Sequence, residues 1–141
     1  MTSPIPFTWM SPALLAGQKS VIRRDWLEEE AAGFREGRFA WVYDHLPQAG
    51  GDPIAVIRFT SNPIREPTSQ LTDHDYEEEG FAFLERFSFP IPQHVCPLLE
   101  FFHLWKSMDI QLWVLRFEVV ELTPEGRSMA ERLFKYTRIM A

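Results

Sequence analysis

The stretch Ser11-Pro12-Ala13-Leu14-Leu15-Ala16-Gly17-Gln18-Lys19-Ser20-Val21-Ile22-Arg23-Arg24 decides how this chain is read. Ser11 is a good N-cap and Pro12 suits the first helical turn. Gly17 is a natural left-handed residue just past the helix end. A short helix with both ends signalled thus runs directly into an extended basic segment. In extended geometry Lys19, Val21 and Arg23 share one side, and Ser20, Ile22 and Arg24 share the other. Lys19 and Arg23 can therefore converge on one anionic or polar ligand. Arginine supplies a planar fork and lysine a point charge. A desolvated lysine can also act as base or nucleophile. Spacing alone leaves a second reading open, that these are ordinary surface cations.

Upstream, Ile5 to Trp9 reads as a short strand, with Pro6 placing it at an edge or a strand start. Downstream, Glu28 to Gly37 reads as a surface excursion whose glutamate run is a solvated face. Arg38 to Asp44 and Ile54 to Thr60 are aromatic-rich and β-branched strands, joined through Gly50-Gly51-Asp52 as an antiparallel pair. Asn62-Pro63 and Glu66-Pro67 read as breaks. Thr72 with Asp75 signals a short capped helix ending near Gly80. Phe81 to Phe87 forms a further helical turn or short helix, broken by Pro90 and Pro92. Leu98 to Met108 is an amphipathic helix, with Leu98, Phe101, Phe102 and Trp105 on one face. Gln111 to Val120 is the clearest strand, with Leu115 and Phe117 on one face and Arg116 and Glu118 on the other. The tail behind Thr123-Pro124 reads as a helix or as a partly disordered segment. The order β-α-β-β-α-α-β has no regular βα alternation, which indicates an α+β fold.

Twelve Phe and five Trp in 141 residues need an interior, or a surface made for stacking. The length suits one domain with its own core. The lone cysteine, Cys96, excludes an internal disulfide framework and fits a reducing compartment. Its apolar neighbours lead us to expect a small buried hydrophobe. The sequence shows no secretory leader and no apolar run of membrane-spanning length, so a soluble cytoplasmic protein is expected. His45, His74, His94 and His103 show no metal-ligand spacing. No glycine-rich phosphate loop or serine-hydrolase elbow occurs. We expect no metal, no cofactor and no membrane contact. The formal net charge of −6 counts against broad nucleic-acid binding, which needs cationic surface, but leaves room for a local basic groove.

Three strings together resemble the ASCH family of the PUA-like superfamily. LLAGQKSVIRR resembles its signature, in which a short helix ending in Ala-Gly or Asp-Gly is followed by a basic or polar residue, Lys-Thr and one or two Arg. IAVIRFTSNPI leading to LTDHDYEEEGF resembles its strand, linker and Leu-Thr helix ending in Glu-Gly-Phe. Phe101-Phe102-His103-Leu104-Trp105 before LWVLRFEVVEL resembles its aromatic helix and last long strand. The resemblance spans roughly residues 5 to 122. It implies a PUA-like mixed β-barrel with flanking short helices over residues 1–123. Residues 124–141 would then be a C-terminal helix or tail. It further implies a cleft where the signature cations meet an acidic helix, and binding of RNA, a nucleotide or a modified nucleoside. Lys19, Ser20, Arg23 and Arg24 are the ligand-binding candidates. Some small bacterial members are similar to amidohydrolases that deacetylate N4-acetylcytidine through a lysine, a threonine three residues on and a glutamate. Here the lysine maps to Lys19, the glutamate to Glu79, and the threonine to Ile22, which has no hydroxyl. The resemblance thus offers Lys19 and Glu79 as a catalytic pair. Trp9 or Trp26 could stack on a base in the binding reading, Trp9 being equally a core residue. A third reading is a protein-interaction module that docks through the C-terminal helix.

Overall fold

Strand β6 (Gln111–Leu122) is the element on which the sheet is built, in a computed structural model that describes residues 4–140. Its alternating sequence puts Leu115 and Phe117 into the core. Its first half pairs antiparallel with β2 (Val21–Arg24) and with β5 (Ile64–Pro67), and both place a residue opposite Val114. Its second half pairs antiparallel with β4 (Pro53–Phe59), from Phe59 opposite Phe117 to Ala55 opposite Leu122. Strand β3 (Phe39–Tyr43) pairs antiparallel with β4. The two residues of β1 (Ile5–Pro6) pair parallel with β3. The order is β1-β3-β4-β6-β2, with β5 also on β6, giving a curled half-barrel in an α+β fold.

Among the described residues six α-helices flank the sheet. Helix α1 (Ser11–Leu15) ends as its sequence predicts, with Gly17 at φ +72°. The Gly17 N–H bonds the Leu14 carbonyl and the Gln18 N–H bonds the Ala13 carbonyl, the two closing bonds of a Schellman end. The start differs from expectation. The strand from Ile5 is cut short because Phe7 leads into a 3-10 turn at Thr8–Met10, which feeds straight into α1. Met10 therefore occupies the N-cap position, and the Ser11 hydroxyl instead donates to Asp44 Oδ1 at 2.6 Å. Helix α2 (Glu28–Ala32) carries the exposed glutamate run. Helices α3 (Asp73–Glu78) and α4 (Phe81–Arg86) meet at Gly80, and α5 (Leu98–Met108) follows. Helix α6 (Pro124–Met140) is continuous from Pro124. Ala141 lies outside the described residues.

Two hydrophobic clusters result. One sits on the inner sheet face, where Ile22, Ile57, Phe59, Leu115 and Phe117 pack with Leu14 and Leu15 of α1 and Ala130 and Leu133 of α6. The other is built from helices, with Ala13, Phe81, Leu84, Leu98 and Phe102 among its members. Each fully buried Leu, Ile or Phe contributes about 1.5–3 kcal/mol relative to exposure. Helix α1 sends side chains into both clusters, so the segment that leaves it, Gln18 to Arg24, begins at their seam.

Two further expectations need correction. Glu66-Pro67 reads as a break in the sequence, yet it is the second half of strand β5, Ile64–Pro67. Proline is tolerated there because β5 pairs on one side only and Pro67 is its last residue. Cys96 is exposed, not buried. Its neighbours Val95 and Leu98 take the buried positions, and the chain turn between them leaves the thiol outside.

Candidate functional site

Lys19, two residues ahead of β2, and Arg23 within it come to one side. Their common partner is the end of helix α3. The Thr72–Asp75 capping box starts that helix: the Thr72 N–H donates to Asp75 Oδ2 at 2.7 Å, and the Asp75 N–H donates to Thr72 Oγ1. About two turns later, Glu79 caps the helix at its far end, and Gly80 turns the chain at φ +87°. The Ser20 N–H bonds the Glu78 carbonyl at 3.0 Å, so the backbone of the β2 approach is tied directly to α3.

Side chains complete the joint. Lys19 Nζ donates to Glu79 Oε1 at 2.8 Å and to the Glu79 carbonyl at 3.1 Å. It lies 5.9 Å from the centroid of the Phe7 ring. Arg23 donates through Nη1 to Glu79 Oε2 at 2.9 Å and through Nη2 to Asp75 Oδ1 at 3.0 Å. Lys19, Arg23 and Glu79 are all buried. Burial lowers the Lys19 pKa, against the opposing pull of the Glu79 carboxylate. Burial raises the Asp75 carboxyl, but the Thr72 N–H and the Arg23 guanidinium outweigh it and leave the pKa below the usual value.

A second tier lies nearer solvent. Glu78 accepts from Arg116 Nη1 at 2.5 Å, from Ser20 Oγ at 3.4 Å, and pairs with His74 Nε2 at 2.7 Å. Arg116 is opposite Val21 in the β2–β6 register, which puts it on the Lys19 and Arg23 side. The cluster thus sets three cations, Lys19, Arg23 and Arg116, against three carboxylates, Asp75, Glu78 and Glu79. A cavity of about 400 Å³ is lined by the chain neighbours of this joint, Gln18 and Glu77, and by Phe83 and Arg86 of α4.

The structure brings Lys19, Ser20, Arg23 and Glu79 together, and Arg24 makes no direct ion pair among the described residues but acts on Lys19 and Glu79 through its charge. Arg24 Nη1 donates to the Arg23 carbonyl oxygen instead of to an acid. Sequence reading missed Asp75, Glu78 and Arg116 as members. Asp75 carried only a capping signal, and Arg116 could have been found from the alternation of β6 once its partner strand was known. Trp9 and Trp26 are half-buried, Trp9 stacked on Phe81 and Trp26 against Phe34. Ile22 is fully buried in the sheet-side core, on the face opposite Lys19. Among the described residues no group of three or more His, Cys, Asp or Glu side chains is arranged to hold a metal ion. No described helix is long and apolar enough to cross a membrane.

No family model matches the chain, and no curated protein matches it. Among solved structures it is similar to protein EF3133 from Enterococcus faecalis V583, of family-model DUF984. The TM-score is 0.55 at 18% identity, over 88% of this chain and 83% of that one. The two chains share an architecture. At this identity the likeness speaks to the α+β half-barrel fold and carries no ligand or activity across.

Proposed function

We propose that the Lys19–Arg23–Glu79 cluster is the binding site of an ASCH-like, PUA-like domain, and that it takes a nucleic-acid component. Of the candidates, a neutral modified nucleoside fits better than RNA or a nucleotide. The carrying observation is the balance of three cations against three carboxylates at one joint. The direct ion pairs leave no surplus positive charge for phosphates, Arg24 acting on Glu79 only from a distance, and the chain as a whole is at −6. It does offer donors and acceptors side by side, the pattern that a base edge or an amide recognises. The LLAGQKSVIRR resemblance supports the same reading.

A second reading rests on the 2.8 Å contact between Lys19 and Glu79 and on the burial that lowers the Lys19 pKa. In an amidohydrolase, the neutral Lys19 amine would take a proton from water as the oxygen adds to the amide carbonyl, and Glu79 would relay that proton to the departing amine nitrogen as the C–N bond breaks. Ile22 supplies no hydroxyl to such a site, and Ser20 is turned to Glu78.

One experiment separates the readings. Purified protein is titrated with N4-acetylcytidine, cytidine, cytidine monophosphate and a single-stranded RNA, while cytidine and acetate release is followed. Saturable nucleoside binding that is weaker for the monophosphate, without turnover, supports the binding site. Turnover lost in Lys19→Met, with near-ultraviolet dichroism preserved, supports the hydrolase. Salt-sensitive RNA binding with no nucleoside affinity overturns both.

A further inference from the structure

Away from the ionic cluster, a largely apolar cavity of about 590 Å³ opens between α4 and the start of α5. Leu84, Phe89, Ile91, Leu98 and Leu99 form its walls, and Leu99 is 46% exposed. Its charged lining groups are both carboxylates, Glu85 and Glu100. Glu85 accepts a hydrogen bond from the Tyr76 hydroxyl, which fixes one acid at the rim. The exposed Cys96 thiol also faces this cavity.

The same chain carries a surface of matching chemistry. The last turns of α6, residues 132–140, contain Arg132, Lys135 and Arg138 and no acid. Phe134 is 54% exposed, Ile139 82% and Met140 45%. At 100° per residue Arg138, Lys135 and Ile139 fall on the side of the helix away from buried Ala130 and Leu133, and Phe134 stands at its edge, one turn on from Ala130. The buried side is already used by the core, so this apolar and basic side has no role in the fold.

Key and lock are also neighbours. The Tyr136 hydroxyl donates toward the carbonyl oxygens of Phe87 and Ser88, at 2.9 and 3.0 Å, and its ring lies 4.7 Å from that of Phe89. Ser88 and Phe89 line one end of the cavity. A helix cannot fold back into a groove beside its own anchored turn. A two-fold axis passing near Tyr136, however, would carry the end of each α6 into the groove of the other copy. Such a contact is isologous and closes on itself, with the same pair of surfaces used twice.

We propose that the α4–α5 groove is the docking site for the α6 end of a second copy of this chain, and that the protein is a reciprocal two-fold dimer. Phe134 and Ile139 enter the apolar groove, and Lys135 and Arg138 meet Glu85 and Glu100. The cavity volume suits a few large side chains, and the charges are complementary across the contact and not within either surface. This interface goes beyond the ligand reading above and stands without it.

Sedimentation equilibrium of the full chain tests this, together with the rate of Cys96 alkylation. The expected result is a concentration-dependent dimer, with Cys96 reacting more slowly as the dimer fills. Leu99→Glu and Ile139→Glu each place a carboxylate in the contact and should weaken dimerisation by about tenfold or more. Both positions are exposed, so the fold is retained. The decisive test is charge reversal. Glu100→Lys and Lys135→Glu each lose the dimer alone. Their mixture regains it as a heterodimer, because both of its contacts then pair opposite charges. A chain that stays monomeric up to its solubility limit overturns the proposal. So does a dimer indifferent to Leu99→Glu and Ile139→Glu, or a monomer in which Cys96 is shielded by an added hydrophobic amine such as octylamine.

Discussion

Glu79 is shared between two cations, with Oε1 accepting from Lys19 at 2.8 Å and Oε2 from Arg23 at 2.9 Å. The sharing is unequal. Both hydrogen bonds of Lys19 go to Glu79, whereas Arg23 also holds Asp75. Removing Glu79 therefore strands a fully buried ammonium, while removing Lys19 leaves Glu79 paired with Arg23. Glu79→Leu should cost about 3–5 kcal/mol, the usual penalty for an unpaired buried charge. Lys19→Met should cost distinctly less. Urea unfolding of both variants checks the order, and equal losses would contradict the asymmetric partnership.

Asp75 links helix start and ion cluster in one carboxylate. Its folded pKa lies below the ordinary carboxylate value, through the Thr72 N–H and Arg23 outweighing burial. Its contribution is therefore present above the unfolded pKa and is lost as pH falls through the folded one. Asp75→Asn should cost about 0.5–2 kcal/mol at neutral pH, in the range of a lost helix cap. The gap between wild type and variant should close as the pH drops below about 4. A gap that persists unchanged at pH 2 would show that Asp75 acts without its charge.

Ile22 tests what the site can be made to do. It is fully buried and packs in the cluster of Leu115 and Phe59. Ile22→Thr puts a hydroxyl among apolar side chains and should destabilise by about 1–3 kcal/mol. Because position 22 faces away from Lys19, the variant should gain no turnover of N4-acetylcytidine. A hydrolysis assay on the variant decides this, and any gain would mean the local backbone can rotate the residue into the cluster.

Gly126 sits where α6 meets β4. A Cβ there would overlap the Ile54 carbonyl oxygen. Helix propensity alone favours alanine over glycine by about 1 kcal/mol. The backbone clash opposes this, and overpacking typically costs about 1–3 kcal/mol. Gly126→Ala should therefore lower the melting temperature, and a rise would show that α6 can shift away from β4 freely.

Much of this was legible in the sequence, for local reasons. The Thr72–Asp75 box, the Gly17 end of α1 and the alternation of β6 are encoded within a few residues, and each appears where it was read. The convergence of Lys19 and Arg23 follows from a two-residue period. What escaped depends on distant partners. β5 has two prolines at or beside its ends, and only the neighbouring β6 makes it a strand. Cys96 looks apolar by its neighbours, yet Val95 and Leu98 fill the space available. Arg116 and Glu78 are surface-like residues in sequence, and they meet only because Val21 pairs opposite Arg116.

Strand β6 carries a consequence for the order of events during synthesis. It supplies the pairing for β2 and β5, and it spans residues 111 to 122. The segments at Val21 and Ile64 thus leave the ribosome long before the strand that will receive them. Until β6 emerges, the β3–β4 hairpin can form, but β2 has no strand to pair with. Asp75 and Glu79, the partners of Lys19 and Arg23, are made earlier, so the sheet that backs the ion cluster is the last part of the joint to close.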